Sequence, residues 1–251
     1  MLGIMGNSAI FAQLAGRGGR KMPVIRFMSS TDDPYIQALS CNGTITIEST
    51  KDGQPVVETY KNLKDTLVEI QADVETEVSI YGYVTDLYFT AYSDEDEDYV
   101  GFVDLKSLDL SATNVLKALS VDYNSGLEEL DVTHNTNLET LICGDNENLT
   151  GIDVSKNTKL TYLYCAYCEG ITELNLSANT ALQTLYCYNC TSLIDISYPA
   201  TNIDVSTAIA GAITNATAAD GTVHTDSAGV YYSTIADAAT AKGWTIEQLP
   251  A

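Results

Sequence analysis

Basic side chains are scarce in this chain of 251 residues: 12 Lys and Arg stand against 34 Asp and Glu, a formal charge of −22. That balance makes nucleic acid or an anionic membrane a poor partner for most of the surface. The scarcity is uneven. No arginine follows Arg26, and the stretch 1–31 holds Arg17, Arg20, Lys21 and Arg26 with no acid, so the rest of the chain is more acidic than the total shows. All four methionines (Met1, Met5, Met22, Met28) fall in the same stretch, which places a compositional border near Ser30. Long apolar runs are absent, so no membrane span is expected. A secretory signal is not expected either, because the weakly apolar part precedes the basic cluster and a signal needs the reverse order. Catalytic motifs are missing too. His134 and His224 have no nearby Ser or Cys in a recognisable arrangement, and the glycines around Arg17 lack the strand and helix that would make a phosphate loop. No enzyme, no cofactor and no metal site is expected.

What the chain has is a globular composition, 45% hydrophobic and 18% charged, with length enough for one domain or two small ones around a real core. Residues 44–48, 55–60, 66–70 and 77–81 alternate apolar and polar side chains, as half-buried strands do, and Asp52-Gly53 suits a hairpin turn. Beyond them the sequence repeats. Leu105, Leu127, Leu149, Ile171 and Leu193 stand 22 residues apart. In phase with them recur the pairs Leu116/Leu119, Leu138/Leu141, Leu160/Leu163 and Leu182/Leu185. Two positions later come Val121, Cys143, Cys165 and Cys187, and three further on Asn124, Asn146, Cys168 and Cys190.

This pattern resembles the leucine-rich-repeat family, whose strand segment is L-x-x-L-x-L-x-x-N/C-x-L. It is most similar to the bacterial variety with Cys on the strand and an L-D-V-S-x-N-T return segment, as in Asp131-Val132-Thr133-His134-Asn135-Thr136 and Asp153-Val154-Ser155-Lys156-Asn157-Thr158. The resemblance implies an α/β-solenoid, a right-handed coil with a parallel sheet on one side. A degenerate first strand is expected at Leu87, which precedes Leu119 by one repeat and a short insertion. The acidic run Asp94–Asp98 would sit in that insertion as a solvated loop. The expected organisation is a basic arm at 1–31, a β-rich N-terminal cap at 32–91, the solenoid at 92–203 and an α/β C-terminal cap at 204–251. Asn at the end of each strand is expected to bind backbone groups of the adjoining loop, and the Asp-Val-Ser segments to cap tight turns.

Cys165-x-x-Cys168 and Cys187-x-x-Cys190 have a zinc-ribbon spacing. The repeat accounts for them more cheaply, as small core residues stacked turn on turn. Strand residues three apart are expected to point to opposite faces, splaying each pair. Inward thiols outside any disulfide suit folding in a reducing compartment.

The residues between the inward leucines should face a concave sheet surface. Tyr162, Tyr164, Tyr186 and Tyr188 gather there with Ile142, a surface suited to a protein or glycan ligand. Cross-strand pairing within the sheet would explain the same tyrosines. The arm residues Arg17, Arg20, Lys21 and Arg26 are expected to dock on an acidic protein surface or another subunit, so a homo-oligomer is one outcome. The sequence therefore points to a display module, with a bacteriophage virion appendage as one setting, or else to a scaffold without a ligand.

Overall fold

The computed structural model describes residues 24–89, 104–176, 178–187, 190, 192 and the backbone of 195–197. Arg17, Arg20, Lys21, the Asp94–Asp98 run, Tyr188 and the cap expected at 204–251 lie outside the described residues.

Among the described residues every regular element is a strand. The first five are β1 (Val24–Ser29), β2 (Tyr35–Lys51), β3 (Gln54–Lys61), β4 (Thr66–Glu69) and β5 (Val78–Tyr88). They overlap the four alternating segments read from the sequence, with β2 and β5 longer than expected and β4 one residue shorter. β2 and β3 form a hairpin closed at Asp52 and Gly53, whose φ values of 52° and 69° match the right-handed twist of the flanking strands. The Asp73 carboxylate accepts from both turn amides at 2.8 and 3.1 Å and is held below the usual carboxylate range by those bonds.

β5 joins the cap to the repeats. It runs antiparallel to β2 along its whole length and to β1 at its start, and on its other side Asp86-Leu87-Tyr88 runs parallel to β7 (Ala118–Ser120) with Leu87 opposite Leu119. Where β5 crosses the bulged part of β2, Gly82 has a φ of 132°, and an added Cβ would stand 2.8 Å from the Thr44 carbonyl oxygen. The parallel sheet continues through β8 (Thr140–Ile142), β9 (Tyr162–Tyr164) and β11 (Thr184–Tyr186), with Leu141, Leu163 and Leu185 in register. β6 (Leu105–Asp109) pairs antiparallel with β1 at the other edge of the same sheet. Across the coil, β10 (Glu173–Asn175) pairs parallel with β12 (Asp195–Ser197). The described repeats are thus a parallel β-solenoid.

Each turn points Leu116, Leu119, Val121, Leu127 and Leu130, or their equivalents one repeat on, into one core that also takes in Ile25, Phe27, Ile80 and Phe89 of the cap. Such side chains contribute about 1.5–3 kcal/mol each on burial, and no turn could bury its set alone.

The strand ends hold a second, polar layer. Asn146 Nδ2 donates to the carbonyls of Val121 at 3.0 Å and Cys143 at 2.9 Å, and its Oδ1 accepts from Asn124 N at 2.8 Å. Asn124 Oδ1 likewise accepts from Leu105 N at 2.9 Å. The ladder then changes residue type without changing pattern. Cys168 Sγ donates to Cys143 O at 3.2 Å and accepts from the Asn146 amide, while Cys190 Sγ donates to Cys165 O at 3.0 Å and accepts from the Cys168 amide. On the return side, Asn135, Asn157 and Asn179 each donate from Nδ2 to carbonyls of the preceding turn at 2.7–3.3 Å. Asp109, Asp131 and Asp153 accept from the amide two residues ahead at 2.9 Å, the expected turn caps.

Two expectations need correction. Cys165 and Cys168 do not splay to opposite faces; both are buried. The reason is the residue before each ladder position: Tyr123, Asp145 and Tyr167 have φ of 59°, 55° and 57°, and this left-handed step turns the next side chain inward. The basic arm does not extend to residue 31 either. Residues 24–29 form β1, an inner strand between β5 and β6 that buries Ile25 and Phe27.

The ladder predicts opposite serine preferences at two neighbouring cysteines. Cys168→Ser should be the more stable of the pair Cys168→Ser and Cys168→Ala by about 1–3 kcal/mol, since a hydroxyl can keep both bonds. Cys165, which only packs, should show the reverse order. Urea denaturation of the four variants checks this.

Candidate functional site

The outer face of the parallel sheet is built from the residues on either side of each inward leucine. Register sets Thr184, Tyr162, Thr140 and Ala118 in one row, and Tyr186, Tyr164, Ile142 and Ser120 in the next. The rows are closed at one end, where Ala118 and Ser120 are buried, and opened at the other, where Ile142, Tyr162, Tyr164 and Tyr186 are half-buried. The Tyr186 ring lies 5.8 Å from the rings of both Tyr162 and Tyr164, at interplanar angles of 55° and 50°. Three of the four expected tyrosines are therefore one contiguous aromatic surface on rigid strands, with Ile142 next to Tyr164 in the row.

Beside this surface lies a polar corner that sequence reasoning missed. Gly144 follows β8 closely, and an added Cβ there would run into Tyr164 Cε1 and come within 2.8 Å of the Ala166 carbonyl oxygen. The absence of a side chain lets the Tyr164 ring lie across the neighbouring strand end. Its hydroxyl bonds the carboxyl of Asp145. Asp122, only 8% exposed, is held by the Ser120 hydroxyl. Burial and the charge of Asp122 push the Asp145 carboxyl up to about 6. The available signal was a glycine one strand away from a tyrosine, in the row Asp122, Gly144, Ala166.

Of the expected docking residues, Arg26 alone falls among the described residues, and its partners are internal. In β1 it stands 3.6 Å from Glu77 and 3.3 Å from Asp109, bonding the cap strand to its neighbours. Its charge is engaged within the sheet. All six cysteines are buried thiols outside any disulfide. Burial pushes the thiols of Cys168 and Cys190 up to about 11 and 12, and those of Cys143, Cys165 and Cys187 well above the usual value, so all five stay protonated. A groove of about 610 Å³ lies elsewhere, lined by Lys106, Glu128, Glu129 and Asn148 among others, with no aromatic wall. Among the described residues no helix is long and apolar enough to cross a membrane.

No family model matches this chain, and no curated protein does. Among solved structures it is similar to the functional domain of InlJ from Listeria monocytogenes, described as including a cysteine ladder, at 24% identity and a TM-score of 0.29. That likeness covers 49% of this chain and 32% of the InlJ chain, so it spans about a third of the InlJ structure's length.

Two outcomes follow from this geometry. Tyr186→Ala removes two ring contacts at once and should cost about 1–3 kcal/mol by thermal or urea unfolding. Asp145 has its carboxyl raised from 3.8 to about 6 in the folded chain, so the folded state holds the extra proton between those values. Its contribution to stability is complete below about pH 4 and is lost as pH rises through about 6. Relative to Asp145→Asn, the native protein should therefore weaken between about pH 4 and 6 and change little above that, which paired urea midpoints across the range will read.

Proposed function

We propose that this chain is a non-catalytic recognition module: a leucine-rich-repeat solenoid that presents Tyr162, Tyr164, Tyr186 and Tyr188, with Ile142, to a protein or glycan ligand. The observation that carries this reading is the cluster of three half-buried rings at 5.8 Å spacings on the outer sheet face. Rings of this kind offer large apolar area with a hydroxyl handle, lose little entropy on binding, and are enriched where proteins and sugars are gripped. The side-chain ladder beneath them keeps the strands fixed, so the surface is formed before any ligand arrives. The basic stretch Arg17, Arg20 and Lys21 is assigned to docking on an acidic surface, either of a larger assembly such as a virion appendage or of another copy of this chain.

A scaffold without a ligand is the second reading, and the mutual packing of the same three rings is what favours it. Binding of the full chain to an array of glycans and to candidate surface proteins separates the two. Tyr164→Ala and Tyr186→Ala should each weaken the captured ligand at least tenfold while the protein stays folded by circular dichroism. Unchanged affinity in both variants would overturn the recognition reading. The docking role is tested by removing residues 1–23, which spares β1; an association state identical to that of the full chain in sedimentation would overturn it.

A further inference from the structure

The polar corner of the outer face holds a buried acceptor that the surrounding protein leaves unsatisfied. Asp145 Oδ2 is buried and has no hydrogen-bond partner among the described residues. A buried, unsatisfied carboxylate oxygen costs free energy, and the cost grows when a second carboxylate shares the site. Asp122 is that second carboxylate, nearly fully buried and clasped by Ser120. Among the described residues that act on Asp145 there is no compensating cation. The preceding turn brings Asp122, and the following turn brings Tyr164 and Cys168. Lys117 and Lys159, of the adjoining turns, are engaged with Glu139 and Asn137, and Lys156 stands by Asp153 on the return side. Burial and the neighbouring Asp122 both favour a proton on this carboxyl.

We propose that Asp145, Asp122, Tyr164 and Gly144 form a proton-operated latch on the outer face: ionised Asp145 holds the Tyr164 ring down across Gly144, and a proton taken from solvent by the Asp145 carboxyl slackens that hold. The geometry supplies each part. Gly144 makes room for the ring, because any Cβ would occupy the same space. The left-handed step at Asp145, φ 55°, turns Asn146 inward, while the Asp145 carboxyl meets the Tyr164 hydroxyl. A phenol donating to a carboxylate makes a bond roughly twice as strong as one to a neutral acid. Burial and Asp122 set the transition near pH 6, within the range that mildly acidic surroundings reach. In consequence the aromatic surface is rigid at neutral pH and looser in acid. The latch rests on the recognition reading only for its meaning to a ligand, since it operates in the free protein.

The test is a pH titration of the full chain by NMR, following the Asp145 carboxyl carbon and the Tyr164 ring, with Tyr164→Phe used for assignment. Both signals should move together with a common midpoint near 6. Asp145→Asn should leave the Tyr164 ring flat across the range, and Asp122→Asn should move the Asp145 midpoint toward the ordinary carboxylate value. An Asp145 carboxyl that titrates at the ordinary value in the native protein would overturn the latch, even if a variant fails to fold. So would a Tyr164 ring that ignores the Asp145 transition, or one that still titrates in Asp145→Asn. A working latch on a protein that captures no ligand would remove the recognition reading alone, and a flat titration on a protein that binds would remove the latch alone.

Discussion

The constraint on which this fold depends is the need to satisfy backbone groups at the end of each strand, where one turn leaves the sheet and the next has not yet taken over. Solvent cannot reach that position, because the ladder side chains Asn124, Asn146, Cys168 and Cys190 are 0% exposed. An orphaned amide or carbonyl there costs about 1–3 kcal/mol, and the loss would recur at every turn of the coil. A side chain that both donates and accepts, turn after turn, removes the cost. The carboxamide of Asn146 does this with two atoms and closes three bonds. The thiol of Cys168 does it with one atom and closes two. The thiol's bonds are weaker, but its desolvation costs less, so the two residue types can share one column. Raised pKa values follow from the same burial and keep each thiol a donor.

The ladder also fixes what the outer face looks like. For the ladder side chain to turn inward, the residue before it must take a left-handed conformation, as Tyr123, Asp145 and Tyr167 do. Asp tolerates that conformation well and tyrosine poorly. At Asp145 the same step brings the carboxyl against the Tyr164 hydroxyl, beside the aromatic rings. The corner that pins Tyr164 is therefore a by-product of the turn that builds the core. Changing the ladder at Asn146 would disturb the aromatic surface, even though Asn146 itself never reaches it.

Periodicity made the repeats legible because it reports a physical spacing. Each full turn of the coil returns its leucine to the same point, and Leu87 opposite Leu119 obeys this despite the insertion between them. The alternating cap strands were legible for the same reason. β1 was not, because Arg26 and two flanking methionines mark the stretch as compositionally foreign. Its pairing depends on β5 and β6, partners far along the chain that no local pattern announces. The inward turn of Cys168 was hidden by the assumption that strand alternation continues past the strand end. The aromatic face was readable as rows of tyrosines. Its polar corner was not, since it depends on a glycine whose importance lies in the ring that covers it.

The acids of this chain fall into two groups whose pH dependences point in opposite directions. Asp109, Asp131 and Asp153 are held below the usual value by the hydroxyl and amide bonds they accept in their turns. Their stabilisation is complete above the unfolded value near 3.8 and is lost only as pH falls through their lower folded values. Asp145 behaves in the other sense, stabilising below that point and ceasing to do so as pH rises through about 6. The two windows scarcely overlap. Between about pH 4 and 6 the turn caps remain ionised and the solenoid stays intact while the corner beside Tyr164 changes its charge. Among the described acids with displaced pKa values, Asp145 alone titrates above the ordinary range. A change at the aromatic face in that interval is thus a local event, because the Asn and Cys ladder bonds that hold one turn on the next do not titrate there.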